Sequence, residues 1–310
     1  MTGLIAALDR RLRAPAPPTR LAALRVLVGG YALGWLLLRL PHLLDVARAA
    51  GSRFDPVGPL AWMDRPAPTG TAVAVLLATI GAGVGFTAGW RWRLSGPAFA
   101  VGFLAVTTYR SSWGQIFHTE NLVALHLLVL AVAPAADAWS LDARRRGTPV
   151  AATGDHGWPA RLLSLLTVGT YAVAGWAKLR NEGLGWVDGD VLRHHIAHDA
   201  LRKELVGAAH PSLGPALLGQ RWLFAPMAAA SLVVELGAPL VLVVRRLRVP
   251  WAVAAWTFHV GVLALMAIAF PYPLVGVAFA SLLPVERAPG WLRRRGRVGW
   301  RRPRGEVVNP

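Results

Sequence analysis

Lys178 is the residue whose position most directly calls for a chemical explanation. It is one of two lysines, with Lys203, in a chain that carries 33 Lys+Arg. It lies in the apolar run 162–179, which has the length and composition of a membrane span. Burial disfavours the ammonium form, so a desolvated lysine can act as a neutral amine and a general base. The structural alternative is a lysine that extends its ammonium to the lipid headgroups.

Glu235 is predicted to lie near the middle of another apolar segment. An unpaired carboxylate at that depth costs on the order of 3 kcal/mol, so it must find a partner or be protonated. Pro239 follows four residues later and removes the N–H that would bond the carbonyl of residue 235, which predicts an opened helix. Glu235 then either faces a polar cavity or bonds to its own helix break.

Three histidines lie in or beside predicted spans. His259 is near the middle of its span, where it could also be a hydrogen-bonded core residue, and His126 has aliphatic surroundings that predict a core position. His118 and Glu120 open the fourth span on the same side as Lys178, and they could mark only the water interface. We predict an outward-facing polar cavity whose site residues are Lys178, His118, Glu235 and His259.

The predicted outer loop 180–221 contains a stretch with helical periodicity. One stripe is predicted to be apolar, with Val191, Leu192, Ile196, Leu201 and Leu205, and the opposite face polar, with His194, His195, His198, Arg202 and Lys203. Such a helix could lie on the membrane surface like a lid. The histidine spacing could suggest zinc, but a clear third ligand is missing, so we predict no metal.

Composition indicates an integral membrane protein. The chain is 55% hydrophobic and 16% charged, far more apolar than a soluble domain. The net charge of +17 comes from short arginine clusters between apolar runs, which do not form the basic face that nucleic acid requires. The chain has no cysteine, which excludes disulfides and thiolate chemistry.

The fold class is predicted to be all-α, a polytopic bundle of about eight spans. The predicted spans are 21–38, 72–89, 94–109, 121–136, 160–179, 222–244, 250–270 and 272–283. Three domains follow: an N-terminal segment (1–20), the membrane domain (21–284) and an Arg-rich tail (285–310). If the N-terminus lies inside, 21 positive charges fall in inner segments and ten in outer ones. Both termini are therefore predicted to be cytoplasmic, in the cell membrane.

Several motifs occur in an order that resembles a known family. They are Tyr171-Ala-Val-Ala-Gly175-Trp-Ala-Lys178-Leu179, Trp186-Val-Asp-Gly189, Trp139-Ser-Leu-Asp142, Glu235-Leu-Gly-Ala-Pro239, and His259 followed by Phe270-Pro271. Over about residues 20–284 the chain resembles the HTTM superfamily, membrane proteins related to vitamin K-dependent gamma-carboxylase.

The resemblance implies that Lys178 is a base that deprotonates a quinone-like cofactor or substrate in its reduced form, with His118 contributing. The carboxylase has a large lumenal domain after its last span, whereas this chain has an arginine-rich tail after Pro284. Peptide-glutamate carboxylation is therefore not expected.

Three functions remain open from the sequence. The first is a membrane enzyme that acts on a lipophilic quinone-like substrate, in which Glu235 and His259 position groups or relay protons. The second is a non-enzymatic membrane factor for secretion, maturation or immunity of an exported peptide or protein. The third is a proton-coupled transporter, because ionisable residues occur in several spans. The expected partners are the lipid bilayer and an exported polypeptide, without nucleic acid.

Overall fold

The fold is all-helical in a computed structural model that describes residues 2–208 and 213–288. Within these ranges the only β-type pairing is an isolated bridge between Ala16 and Thr153, so no sheet contributes to the architecture. The α-helices are α1 (Thr2–Leu12), α2 (Pro18–Leu38), α3 (Leu40–Ala47), α4 (Thr69–Ala88), α5 (Trp92–Ser111), α6 (Asn121–Val132), α7 (Leu141–Arg146), α8 (Gly154–Glu182), α9 (Asp190–Leu205), α10 (Leu213–Leu217), α11 (Phe224–Leu236), α12 (Leu240–Val243), α13 (Arg248–Met266) and α14 (Pro271–Leu274).

The first half of the chain forms one packed bundle. Helix α4 packs on α2 and α5, and α5 packs on α6. The centre of this bundle is aromatic and aliphatic, with Phe86, Phe99, Phe103 and Leu127 at 0% exposure. Between helices in a bilayer such packing stabilises the bundle through van der Waals contact. This half is therefore a rigid support for the helices that follow.

Helix α8 joins the two halves of the molecule. It packs on α2 and α6 on one side and on α11 and α12 on the other. A second core, which includes Tyr171, Val241, Trp251 and Ala255, lies between α8, α12 and α13. Lys178 is near the C-terminal end of α8, and we call this side of the molecule the Lys178 end. The opposite side, which carries the arginines of α7 (Arg144, Arg145 and Arg146), is called the arginine-rich end.

Four helical segments are long and apolar enough to cross a membrane: Pro18–Leu38, Thr69–Ala88, Gly154–Asp188 and Arg245–Met266. The all-α membrane bundle is thus confirmed, whereas the count of eight stays a prediction. The last predicted span, 272–283, is not a continuous α-helix. It consists of α14 and a 3₁₀ segment, Val277–Leu282, because Pro271 and Pro273 lack backbone donors and Gly276 adopts a positive φ of 78°.

The predicted break beside Pro239 is present. Helix α11 ends at Leu236 and α12 begins at Leu240, so Glu235 lies in the last turn before the break. The backbone N–H of Gly237 still bonds the carbonyl of Val233 at 3.0 Å. The carboxylate of Glu235 is hydrogen-bonded to another helix and does not bond to its own break.

Helix α9 differs from its predicted amphipathicity. Ile196 is buried as expected, but Leu201 and Leu205 are exposed, while Lys203 is buried with Asp199. The Lys203 ammonium bonds Asp199 at 2.8 Å and donates to the carbonyl of Met266 at the end of α13. Because this polar contact satisfies a helix C-terminus, it orients α9 differently from the hydrophobic pattern.

The N-terminal segment is held against α8. The guanidinium of Arg161 donates to the carbonyls of Leu12 and Ala14 at 2.9 and 2.6 Å. The predicted division into residues 1–20, 21–284 and 285–310 stays a prediction, and residues 289–310 of the tail lie outside the described residues.

Candidate functional site

Lys178 and Glu235 form an ion pair between α8 and α11. The Lys178 ammonium donates to both carboxylate oxygens of Glu235. The Glu235 side chain is only 3% exposed and that of Lys178 is 21% exposed. The carboxylate is thus sealed inside the protein, while the amine keeps partial access to the surroundings.

Gly175 allows the two helices to approach at this pair. A Cβ atom added at Gly175 would lie 2.9 Å from the Cβ of Glu235 and 3.0 Å from Leu236. Gly175 precedes Lys178 by three residues, so both lie on the α8 face that meets α11. The spacing of Gly175 and Lys178 in the motif therefore has a geometric cause.

Two aromatic rings flank the ammonium of Lys178. Its Nζ lies 5.1 Å from the ring centroid of Trp186 and 5.6 Å from that of Phe258, within cation–π range. The indole N–H of Trp186 bonds Ser231 at 3.1 Å and the carbonyl of Ala228 at 3.2 Å, which fixes the ring against α11. The wall beside the amine is therefore apolar and rigid.

Gly189 explains how the chain holds Trp186 in place. Its φ is +83°, and an added Cβ would lie 2.3 Å from the backbone nitrogen of Ala225. Only glycine fits such a close backbone approach in the left-handed region. The motif Trp186-Val-Asp-Gly189 is thus a turn that presses the tryptophan onto α11.

His259 is positioned by a tyrosine of α8. The Tyr171 hydroxyl and the Nε2 atom of His259 share a hydrogen bond of 2.7 Å, whose donor depends on the histidine tautomer. Tyr171 is seven residues before Lys178, two helical turns away on the same face of α8. The Nδ1 atom of His259 is buried without a partner in the described residues. Tyr171 and His259 thus extend the polar face from Lys178 into the bundle.

His118 lies at the edge of this cluster. Its side chain is exposed, and its ring centroid is 5.8 Å from that of Phe270, which is 5.1 Å from His259. The structure therefore brings Lys178 and Glu235 into direct contact. It connects His259 to the same face of α8 through Tyr171, and it separates His118 from His259 by one aromatic ring.

Two other polar residues have structural partners. His126 is in the core as predicted, and it bonds Tyr272 at 2.7 Å and Thr167 at 3.3 Å. Glu120 does not mark the water interface, because it is buried with Arg110 at 3.4 Å and accepts from the indole of Trp35 at 3.1 Å. In the described ranges no group of three or more His, Asp or Glu is arranged to hold a metal ion.

Sequence reasoning found Lys178 and Glu235 but missed Tyr171, Trp186 and Phe258 as neighbours of the site. The spacing of Tyr171 and Lys178, seven residues apart on one helix, was a usable signal. No spacing rule could have placed Phe258 of α13 beside the amine, because that contact depends on how α13 packs. Chemically, the arrangement can move a proton between an amine and a carboxylate beside an aromatic wall.

The fold and this site define a helical integral membrane protein that carries a lysine–glutamate ion pair between two of its helices. The chain belongs to the HTTM domain family, whose family model matches residues 14–283. Relation to vitamin K-dependent gamma-carboxylase is the general context of that family. No curated protein and no solved structure matches the chain.

Proposed function

We propose that the protein is a membrane enzyme that deprotonates a lipophilic quinone-like substrate in its reduced, hydroxyl-bearing form. The single observation that supports this proposal is the Lys178–Glu235 pair, in which a partly accessible amine contacts a sealed carboxylate beside two aromatic rings. Rings of this kind suit a flat aromatic substrate head. Lys178 is the general base, and Glu235 and His259 are positioning or proton-relay groups.

The proton balance of this step involves both members of the pair. The ion pair and the neutral amine beside a protonated carboxyl contain the same number of protons. From the neutral arrangement, the amine of Lys178 accepts the substrate proton: the substrate O–H bond breaks and an N–H bond forms. The product is a substrate oxyanion next to an ammonium, with the carboxyl of Glu235 still protonated. The new ammonium then stabilises the developing negative charge.

The replacement Lys178→Arg tests the proposal because arginine keeps the positive charge but remains protonated. The probe is a reduced naphthoquinone with an isoprenoid tail, presented in lipid nanodiscs under air. Because dioxygen oxidises the oxyanion faster than the hydroquinone, with formation of hydrogen peroxide, conversion to the quinone is followed by chromatography. We expect the variant to lose at least 100-fold in rate, the usual contribution of a general base. Equal rates for the variant and the parent protein would overturn the assignment, provided that both have the same melting temperature.

The near-complete burial of Glu235 favours a second candidate, a non-enzymatic membrane factor for secretion, maturation or immunity. In that case the ion pair only holds α8 and α11 together. Lys178→Met alone would leave a sealed charge without a partner, which costs about 3–5 kcal/mol. A double replacement, Lys178→Met with Glu235→Leu, should recover most of that stability because no unpaired charge remains.

The double variant separates the two functions. A non-enzymatic factor predicts that the folded double variant restores the phenotype of cells that lack the protein. The enzyme predicts a folded double variant that neither restores the phenotype nor converts the probe. Melting temperatures of the single and double variants confirm that stability has been recovered.

A further inference from the structure

A groove of about 920 Å³ opens at the arginine-rich end, away from Lys178. Its walls come from the start of α2, the end of α4, the turn before α7 and the segment after α7. The lining residues used below are Trp139, Leu141, Arg144 and Asp137. Because Pro18 begins one candidate span and Ala88 ends another, the groove lies where the hydrocarbon meets the lipid headgroups.

Trp139 lies at this groove in an unusual conformation. It has a φ of +48°, in the left-handed region that residues with side chains rarely adopt, and it is 46% exposed. Arg25, which is 0% exposed, donates to the carbonyl of Trp139 at 2.5 Å and to that of Ala135 at 2.8 Å. A buried guanidinium thus maintains the turn that presents the indole.

The turn is fixed on its other side as well. The Ser140 hydroxyl accepts from the N–H of Ala143 at 2.8 Å, and the carboxylate of Asp142 accepts from the N–H groups of Arg91 and Trp92 at 3.0 and 2.8 Å. The side chains of Ser140 and Asp142 therefore both accept hydrogen bonds from backbone N–H groups, which fixes the turn. Leu141 has no such bond, is 40% exposed and lines the groove.

The lining of the groove carries one guanidinium, that of Arg144, and one carboxylate, that of Asp137. The carboxylate of Asp137 is engaged by Arg146 at 3.3 Å and by His156 at 3.0 Å. Arg144 is exposed, and its guanidinium makes no hydrogen bond or ion pair within the described part of the chain. The groove thus combines an indole, an apolar floor and a guanidinium available to an anion.

We propose that this groove binds one anionic phospholipid, with its phosphate on Arg144 and the glycerol and upper acyl carbons on Trp139 and Leu141. Tryptophan is favoured at the headgroup level, and clustered arginines attract anionic lipids of the cytoplasmic leaflet. The proposal is independent of the reaction at Lys178.

Thermal stabilisation of the full chain in neutral detergent tests the proposal, with three additives: phosphatidylglycerol, phosphatidylcholine with the same acyl chains, and inorganic phosphate. We expect phosphatidylglycerol to raise the melting temperature saturably and the other two to have little effect. Equal stabilisation by phosphatidylcholine would overturn the selectivity for an anionic headgroup. If inorganic phosphate raised the melting temperature as much as phosphatidylglycerol does, the groove would be a site for small anions, and the proposed contact with the acyl chains would be overturned.

Matched variants locate the site. Arg144→Ala should weaken phosphatidylglycerol binding about fivefold, as expected for one arginine near an anionic surface. Arg145→Ala removes the same charge from the same helix outside the groove lining and should leave binding unchanged. Equal weakening by both would show non-specific surface attraction and overturn the proposal.

Trp139→Gly tests the indole without backbone strain, because glycine adopts a positive φ readily. Its control is Trp90→Gly, which removes an exposed tryptophan outside the groove lining. Weaker lipid binding by the first variant alone supports the proposal. Unchanged binding by Trp139→Gly, measured with a folded variant, would overturn it.

Discussion

At the scale of single residues, a sealed carboxylate determines the character of the site. Glu235 is far less exposed than Lys178, so the two partners of one ion pair have different freedom. The lysine can reach toward headgroups if its partner is lost, as long cationic side chains do at helix ends. The buried, shorter side chain of Glu235 cannot reach the headgroups in this way. The sequence placed Glu235 correctly as a residue that needs a partner, but it did not identify which one.

Gly175 gives a prediction at this scale. Gly175→Ala should lower the free energy of unfolding by about 1–3 kcal/mol, because the new methyl group meets the Cβ of Glu235 and the side chain of Leu236. It should also disturb the ion pair and slow conversion of the naphthoquinone probe. The measurement is the melting temperature in nanodiscs, followed by the rate assay.

A matched control lies on the same helix. Gly169 has no atom within 4 Å of an added Cβ, so Gly169→Ala should be neutral or slightly stabilising in α8. Equal destabilisation by both replacements would contradict a specific role for the close approach of α8 and α11 at Gly175.

At the scale of elements, the outer helix α9 shows where sequence patterns fail. Periodicity correctly predicted a helix within the outer loop 180–221, where α9 lies, and the burial of Ile196. It failed for Leu201 and Leu205, because the buried polar contacts of Lys203 determine which face turns inward. Hydrophobic periodicity along α9 cannot predict that Lys203 bonds a carbonyl at the C-terminal end of α13.

Lys203→Met is therefore expected to loosen α9 from α13. The replacement leaves the carbonyl of Met266 without this donor, which costs about 1–3 kcal/mol for a buried acceptor, and hydrogen exchange in α9 should increase. Arg202→Met is the control, because the Arg202 side chain also bonds Asp199 but is 56% exposed. Similar exchange in both variants would contradict a specific role for the buried lysine.

Acid should have a related effect on α9. Burial raises the pKa of Asp199, but the hydrogen bonds and charges of Lys203 and Arg202 outweigh it, so the pKa is lowered from its ordinary value of 3.8. Since the folded pKa is below the unfolded one, this contribution to stability is complete above about pH 4 and is lost as pH falls through the folded pKa. The ion pair between Asp199 and Lys203 is therefore expected to keep its full stabilising effect at neutral pH.

At the scale of the whole molecule, composition was sufficient for the all-α membrane class. The starts of α2 and α4 were predicted to within three residues, because apolar runs and prolines mark them. The final predicted span, 272–283, is not one continuous α-helix, since hydropathy does not distinguish a helix from compact 3₁₀ turns that pack inside the bundle. Buried Ala278 and Phe279 show that this segment is apolar for packing.

The orientation of the bundle is open to a direct labelling experiment, because the chain has no native cysteine. Arg145→Cys marks the arginine-rich end and Glu182→Cys marks the Lys178 end, and both positions are exposed. A membrane-impermeant maleimide should label Glu182→Cys in intact cells and Arg145→Cys only after lysis. The cysteine-free parent protein controls for background. The reverse labelling pattern would place the Lys178 end inside.

The length of α8 has a consequence for the choice of bilayer. Its 29 residues extend roughly 43 Å, well beyond a hydrocarbon core of about 30 Å. The rod must tilt or project from the surface, and hydrophobic mismatch with the surrounding lipid determines by how much. A thicker bilayer would place Lys178 deeper in the hydrocarbon, and a thinner one would expose it to water. Membrane thickness is therefore expected to control the hydration of the Lys178 amine.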